Sequence, residues 1–276
     1  MPMKYIPALA LMLCAYGASR AQQTNPAVEL VDPRVLRVCA DPSDLPLSND
    51  KGEGYENKIA ALLATSLHKR LAYTYYPAST GFLRNTLMKF RCDLVMGEPQ
   101  GVGSVQATNP YFATAYALVF KPGTGLDGIT TLEDPRLKSK RIGLIAGTPP
   151  ATNIEADHLM GHVRSYPLVV DTRFHLSTVH MIKDIESGKI DVGVLWGPMA
   201  GYFAKESKPP LRVVPLVHEK SGPAMAYRMV MGVRPSDQDW KRQLNGVIAA
   251  HQAEITQILK SYGVPLLDAN FQPIKP

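Results

Sequence analysis

The sequence predicts an α/β fold of two lobes, each built on a parallel sheet and joined by a hinge that the chain crosses twice. Three observations predict it: short β-branched runs alternate with helical periodicity, this alternation occurs twice, and about 255 residues follow an apolar leader. That length suffices for two lobes of about 100 to 150 residues each. We expect lobe I at 35–116 and 221–276, with lobe II inserted at 117–220.

Residues 1–21 are typical of a cleavable secretory signal. Lys4 precedes an apolar run at 6–15, and small residues nearby suit a cut after Ala21. The run is too short to span a bilayer, which needs about 20 residues, and no later segment is apolar enough. We therefore expect an exported, periplasmic protein without a membrane span. Lipidation at Cys14 is the alternative, and the bulky leucine before that cysteine disfavours it.

The expected mature chain opens on a polar lead-in at 22–34 and is mildly basic. Removing Lys4 and Arg20 from the 30 basic residues leaves 28 against 24 acidic ones, a net charge of +4. These charges are spread along the chain, without an Arg-rich run or interleaved aromatic residues, which argues against a nucleic-acid partner. An acidic protein partner is an alternative to ordinary solvated charge, which we favour.

Two cysteines, Cys39 and Cys92, remain after the predicted cut. In an oxidising compartment such an isolated pair predicts a disulfide. Closing the loop of about 54 residues between them would stabilise the fold by about 4 kcal/mol. A metal or redox pair normally lies closer in sequence, as in CxxC. The sequence leaves the geometry of the bridge open, because the two cysteines fall near opposite ends of strands or close by their loops.

Lobe I is expected to begin with three parallel strands joined by two helices. The strands are predicted at 35–40, 71–76 and 93–97, and the helices at 55–68 and 82–90. Right-handed crossovers would make the first and third strands neighbours and place the loops after the strands at one edge. We expect a binding rim at that edge.

Lobe II repeats the alternation. Its strands are predicted at 141–146, 165–170 and 191–196, and its helices at 151–160 and 177–187. A second set of parallel strands in an inserted unit leaves a cleft between the two lobes.

Two stretches, at 114–121 and 211–218, are expected to connect the lobes. The chain then returns to lobe I with a strand at 227–233 and one long helix. Ser236 and Asp239 stand at the start of that helix in a pattern close to a capping box.

The order of these elements resembles that of the polar amino-acid receptors among the family 3 solute-binding proteins. LRVCADPSDLPLS, GYENKIAALLATSLHKRLAYTYYP, TLEDPRLKSKRIGLIAGT and SGKIDVGVLWGPMAGYFAK carry the resemblance, which covers nearly all of the mature chain. It implies a two-lobed, type II periplasmic binding protein-like fold. The arginine that clamps the ligand carboxylate in those receptors is absent from 98–111, and Trp196 stands near the position of the aspartate that takes the ligand amine. Each charged hydrogen bond contributes about 1.5 to 3 kcal/mol, so we expect weak binding of free amino acids.

A narrower resemblance accounts for the missing clamp. The motifs at 37–48, 52–57, 81–87 and 91–99 resemble those of the MxaJ/XoxJ family, which is encoded beside pyrroloquinoline-quinone (PQQ) methanol dehydrogenases. The resemblance implies a non-catalytic periplasmic accessory protein of methanol oxidation. It would bind the dehydrogenase, of the lanthanide rather than the calcium type, through the cleft and assist its assembly or activation. It implies no cofactor in the chain itself.

Residues on the predicted rim are candidates for contact with the occupant of the cleft. Trp196 ends an apolar strand before Gly-Pro, which favours the cleft over the core, and Thr148 precedes a helix whose N–H groups are free. Apolar side chains on the lobe I loops suit a peptide segment or a small apolar ligand better than a zwitterion. The candidate set is Asp41, Leu45, Pro46, Tyr55, Phe82, Arg84, Glu98, Gln100, Thr148 and Trp196.

No pattern in the chain predicts catalysis or a metal site. His158 and His162 lie four apart, but HLMGH lacks the glutamate of HExxH and a third ligand. GxSxG is absent, and no paired acid and base are evident. Two alternatives remain: a solute receptor of an ABC transporter for an uncharged or apolar small ligand, and, with less support, a dehydratase-like enzyme on the same fold.

Overall fold

The computed structural model describes Met1 and residues 29–101, 105–168 and 176–274. The predicted signal and its cut after Ala21 lie outside these residues, as does most of the lead-in. Within the described ranges, no helix has the length and the hydropathy needed to cross a membrane.

The fold is α/β, as the sequence predicts, with helices packed around a ten-stranded sheet. The described strands are β1 (Val35–Ala40), β2 (Ser43–Asp44), β3 (Ser48–Asn49), β4 (Arg70–Tyr75), β5 (Leu94–Pro99), β6 (Gln106–Ala107), β7 (Phe112–Phe120), β8 (Ile142–Ile145), β9 (Val163–Tyr166), β10 (Val192–Trp196), β11 (Arg212–Pro215) and β12 (Ala226–Val233). The described α-helices are α1 (Tyr55–Ser66), α2 (Phe82–Asn85), α3 (Pro150–Ala156), α4 (Ser177–Glu186), α5 (Gly197–Glu206), α6 (Gln238–Ala250) and α7 (Gln252–Ser261).

One half of the sheet runs β4-β1-β5-β12. β4, β1 and β5 are parallel, so the first and third strands are neighbours as predicted. Its core is formed by the buried faces of the strands and of helices α1, α6 and α7, including Leu36, Ile59, Trp240, Leu244 and Ile255. The apolar run of β1 and the helically spaced apolar residues of α1 thus pack into one core.

The other half of the sheet runs β7-β10-β8-β9, with β11 also paired to β7. β10, β8 and β9 are parallel. Apolar side chains cover both faces: Phe120, Ile142 and Ile154 belong to one buried cluster, and Met181 and Ile185 to another. A sheet covered on both faces explains the nearly continuous apolar runs of β8 and β10.

The two halves meet along β7, which changes partners part-way. Its first residues pair with β12, ending at Ala115 opposite Ala226. From Tyr116 onward it pairs with β10, where Tyr116 stands opposite Trp196. The lobe limits of 35–116, 117–220 and 221–276 stay a prediction.

The end of α7 and the segment after it contact both halves of the sheet. Gly201 of α5 lies so close to it that an added Cβ would come well inside 3.0 Å of the carbonyl oxygen of Gly263. Lys205 Nζ donates to the carbonyl of Ser261 at 2.7 Å, and Thr114 Oγ1 donates to that of Pro265 at 2.8 Å. Backbone-to-backbone packing of this kind requires glycine at the contact.

Cys39 and Cys92 form the predicted disulfide, with Cα atoms 5.6 Å apart. Cys39 lies in β1 and Cys92 stands two residues before the start of β5. Because β1 pairs with β5 and Cys39 stands opposite Val95, the bridge links the loop before β5 to its neighbouring strand. The sequence left the geometry of the disulfide open, and in the structure the bridge joins neighbouring parts of two adjacent strands.

A buried ion network ties β1, β5, β12 and α6 together. The carboxylate of Asp93 accepts from Arg37 Nε at 2.7 Å and from Arg234 Nη2 at 2.7 Å. Arg234 also pairs with Asp237 at 2.7 Å, and the indole N–H of Trp240 donates to the carbonyl of Asp93 at 2.9 Å. Arg234, Asp93 and Asp237 are almost fully buried, so each charge depends on the others for its partners.

The prediction of one continuous helix at 82–90 is wrong. α2 ends at Asn85, and a 3₁₀ turn follows at Leu87–Lys89. Thr86 breaks the helix with φ −122° and ψ −85°, and its hydroxyl donates to the carbonyl of Phe82 at 2.6 Å. Local side-chain bonding of this kind competes with helix continuation.

The prediction of a single long C-terminal helix is also wrong. It divides at His251 (φ −116°, ψ 21°) into α6 and α7. The predicted capping box does not form at its start, where the carboxylate of Glu29 accepts from the backbone N–H groups of Asp239 and Trp240 instead. A residue distant in sequence thus satisfies the free donors of the first turn.

Lobe II differs from its predicted elements at three places. The helix predicted at 151–160 ends at Ala156, and the strand predicted at 165–170 is β9, which ends at Tyr166. α5 was not predicted, although Gly197-Pro198 places a proline in its first turn, where proline is favoured.

Candidate functional site

A cavity of about 530 Å³ lies between the two halves of the sheet. Gly97 and Pro99 of β5 line one side, whereas Ile145 at the end of β8 and Trp196 of β10 line another. These residues stand at the carboxyl ends of parallel strands in both halves. The edge of the sheet that the sequence predicts as a binding rim therefore does border a cavity.

Three aromatic rings form one corner of this cavity, which we call the aromatic corner: Tyr116, Trp196 and Tyr227. Ring centroids are 5.1 Å apart for Tyr116 and Trp196, 5.7 Å for Trp196 and Tyr227, and 6.3 Å for Tyr116 and Tyr227. The rings meet edge to face, the arrangement that aromatic pairs prefer.

Strand register places these rings together. Tyr116 and Trp196 are direct partners in the antiparallel pair of β7 and β10. Tyr227 stands opposite Thr114, two residues before Tyr116 on β7. Side chains two apart on a strand share a face, so three strands contribute one ring each to the same point.

The remaining wall is mostly apolar. Met199 of α5, Met229 of β12 and Leu176 before α4 contribute flexible or branched apolar side chains. Methionine adapts its shape to irregular partners. Ser177 and Thr178, in the first turn of α4, add hydroxyl groups.

Asp44 is the charged residue of this wall within the described ranges. Burial, followed by repulsion from Asp41, raises its pKa to about 7. Glu56 lies behind the wall, with a pKa raised to about 8 first by burial and then by Asp44 and other carboxylates. Its Oε1 atom is buried without a hydrogen-bond partner among the described residues and lies against Gly97 of the wall.

Two of the predicted site residues, Trp196 and Thr148, line the cavity. Asp41 does not, but its carboxylate accepts from the N–H groups of Ser43 at 2.7 Å and Ala78 at 2.6 Å. Ala78 belongs to the wall. Asp41 therefore fixes a loop of the cavity rather than facing it.

Tyr55 and Phe82, predicted on the rim, lie elsewhere. The ring of Tyr55 is 1% exposed and packs edge to face on Phe112 and Tyr262 inside the core. Phe82 packs on the buried cluster that contains the disulfide. Both follow a loop, as predicted, but the helices they begin turn these rings toward the protein interior.

The other predicted residues are also outside the cavity wall. The carbonyl of Pro46 accepts the N–H of Tyr55 at 2.9 Å and so caps α1, with Leu45 beside it. Arg84 and Gln100 are exposed. Glu98 is half-buried on β5 between two residues that do line the wall, and burial raises its pKa. Contact of these residues with a partner stays a prediction.

Sequence reasoning missed Asp44, Tyr116, Tyr227 and the two methionines. Tyr116 and Tyr227 lie in the predicted crossing and in the returning strand. The sequence did carry a signal for them, because residues in the segments that connect two lobes border the cleft between those lobes. Asp44 carried no such signal, since its role depends on burial.

His158 and His162 do not lie together on one helix. His158 follows the end of α3 with φ 58°, and His162 lies in a 3₁₀ turn. No group of three or more metal-binding side chains was found in the part of the chain that the structure describes.

The crystal structure of the periplasmic binding protein XoxJ from Methylobacterium extorquens AM1 is similar to this fold. It is 42% identical in sequence, with a TM-score of 0.72, and the match covers 84% of this chain and 99% of that one. The chain belongs to the MxaJ/XoxJ family. MxaJ from a Methlophaga species supports this at 25% identity and a TM-score of 0.73, over 84% of this chain and all of that one.

Sequence comparison adds a further member of the MxaJ/XoxJ family. MoxJ of Methylorubrum extorquens is 27% identical over 278 residues, which cover 95% of this chain and 92% of MoxJ. No protein-family model matches the chain. An ancestral cationic amino-acid solute-binding protein, at 19% identity and a TM-score of 0.64, shares the fold. The predicted family and the periplasmic binding protein-like fold are thus confirmed.

Proposed function

We propose that this protein is a non-catalytic periplasmic accessory protein of methanol oxidation, which binds a PQQ-dependent methanol dehydrogenase of the lanthanide type and assists its assembly or activation. The match to XoxJ over 99% of that chain carries the proposal. XoxJ is a periplasmic binding protein, which supports a binding role and a periplasmic location here.

The walls of the cavity support a protein partner. Three aromatic rings and two methionines contribute to the wall, and these side chains are enriched where proteins bind one another. A free amino acid needs an anchor for each of its two charges. Asp44 alone is charged among the described wall residues, and 98–111 offers no basic side chain.

The test is a titration of the purified protein against a PQQ methanol dehydrogenase immobilised on a biosensor, loaded with either a lanthanide or calcium. We expect the lanthanide form to bind. Trp196→Ala should weaken binding by about thirtyfold, because truncating a central aromatic anchor costs about 2 kcal/mol or more. Met160→Ala is the matched control, since Met160 is 50% exposed and lies outside the cavity wall.

Two results would count against the proposal. Absence of binding to both dehydrogenase forms, at low and at physiological salt, would show that the dehydrogenase is not the partner. Binding to the calcium form alone would overturn the lanthanide assignment and leave the accessory role.

A second candidate function is a receptor of an ABC transporter for an uncharged or apolar small ligand. Its support is the cavity volume of about 530 Å³, which is in the range of small-molecule sites. Native mass spectrometry of protein purified from the periplasm would show a bound small molecule if this function holds, and a clean apo mass in several preparations would oppose it.

A further inference from the structure

The aromatic corner and a carboxylate border one cavity. Tyr116, Trp196, Tyr227 and Asp44 all contribute to its wall. The three rings pack edge to face at centroid distances of 5.1 to 6.3 Å and line the cavity together. Ring faces attract cations that lie within about 6 Å, and sites of this kind recognise ammonium groups.

The carboxyl groups around Asp44 have no basic side chain among the described residues that influence them. The influences on Asp44 and Glu56 are burial and other carboxylates, which all raise the pKa of these groups. The carboxylates that act on Glu56 are Asp44 on β2, Glu98 on β5 and Asp41 at the end of β1. Neighbouring carboxylates of this kind are stabilised by a cation that binds among them.

A buried oxygen atom without a hydrogen-bond partner also indicates a cationic ligand. Glu56 is 8% exposed, and its Oε1 has no hydrogen-bond partner among the described residues. This oxygen lies against Gly97, a residue of the cavity wall without a side chain. A buried carboxyl oxygen without a hydrogen-bond partner is costly, and once Glu56 ionises, a positive group in the cavity beyond Gly97 reduces that cost by its field.

We propose that the cleft binds a basic side chain, lysine or arginine, of a protein segment, with its cationic group between the aromatic corner and Asp44. This deepens the proposed function by naming the chemistry of the partner segment. The apolar stem of the side chain packs on Met199 and Met229, as the stems of lysine and arginine do on apolar surfaces.

Fluorescence of Trp196 gives a direct measurement. The protein has two tryptophans, and Trp240 is 1% exposed with its indole N–H bonded to Asp93. A change in emission on titration therefore reports the aromatic corner. The probes are an acetylated and amidated seven-residue peptide of alanine and leucine with a central lysine, the same peptide with norleucine at that place, and n-butylamine.

The lysine peptide should bind about tenfold or more tightly than the norleucine peptide at pH 8.5, where Asp44 is ionised. Asp44→Asn should abolish that preference. Asp50→Asn is the matched control, because Asp50 is exposed in the same segment and lies outside the wall. Tyr227→Leu should also reduce the preference, whereas Tyr227→Phe, which keeps the ring, should retain it.

Three outcomes would overturn the inference. These are equal affinities of the norleucine and lysine peptides, no binding of either peptide at millimolar concentration, and an affinity of n-butylamine equal to that of the lysine peptide, which would exclude a protein segment as the ligand. The dehydrogenase titration is read separately. Binding of the dehydrogenase together with any of these outcomes rejects the cation site and leaves the accessory role intact.

Discussion

Replacing Gly201 by alanine tests the contact between α5 and the segment after α7. The substitution adds one methyl group inside a helix, which by itself stabilises by about 0.5 to 1 kcal/mol. At this position the new Cβ would come well inside 3.0 Å of the Gly263 carbonyl oxygen and 3.2 Å from the Pro265 ring. Both obstacles are stiff, since one is backbone and the other a proline ring, so α5 must shift away from the segment.

The expected cost follows from these two contributions. Overpacking by one methyl group costs about 1 to 3 kcal/mol, and the rigid neighbours place Gly201→Ala toward the upper end. After the helical gain is subtracted, we expect a net loss of about 1 to 2 kcal/mol. This corresponds to a fall of a few degrees in Tm for a chain of this size.

Urea unfolding followed by circular dichroism measures the loss. Gly246→Ala is the control, because Gly246 is an exposed residue inside α6 with no atom within 4 Å of an added Cβ. It should gain up to about 1 kcal/mol. If Gly201→Ala matches or exceeds the wild type while Gly246→Ala behaves as expected, the close contact between the two glycines is not a constraint.

Three further perturbations test the buried groups. Glu56→Gln should raise stability at pH 8 to 9, because the folded-state pKa of about 8 means that the wild type loses stability as pH rises from about 4.5 toward 8. Arg234→Met should destabilise by about 3 to 5 kcal/mol, since it strips the buried Asp93 carboxylate of a charged partner. Removing the disulfide with Cys39→Ala and Cys92→Ala should cost about 4 kcal/mol. Urea midpoints, for Glu56→Gln at several pH values, measure all three.

Each of these expectations has a clear opposite. A parallel pH dependence in Glu56→Gln and wild type would show that this carboxyl does not titrate in the folded state as described. A loss below 1 kcal/mol in Arg234→Met would show that Asp93 finds other donors. An unchanged midpoint after removal of the cysteines, with reduced wild type as the control, would contradict the chain-entropy argument.

Elements with local signals were predictable from the sequence. β1 was predicted at its observed bounds, because a β-branched run ends abruptly at Asp41-Pro42. α1 was predicted to within two residues, because apolar residues recur at helical spacing along its buried face. The disulfide followed from the compartment and the cysteine count, although its geometry needed the pairing of β1 with β5.

Elements that depend on contacts between residues distant in sequence were not predictable. The break at His251 interrupts a helical periodicity that continues from Val247 to Ile255, so no local pattern marks it. Glu29 caps α6 from more than two hundred residues away. The aromatic corner requires the relative register of β7, β10 and β12, which only the folded sheet sets.

The pairing of β5 with β12 has a consequence for synthesis. β5 pairs with β12, and about 130 residues separate the two strands along the chain. β8, β9 and β10 lie between these two strands in the chain and have one another as partners once they are made, whereas β5 has an open edge until residues 226–233 have been added. The last part of the chain therefore completes the first-made half, and a chain that stops before β12 leaves that strand edge free to pair with another molecule.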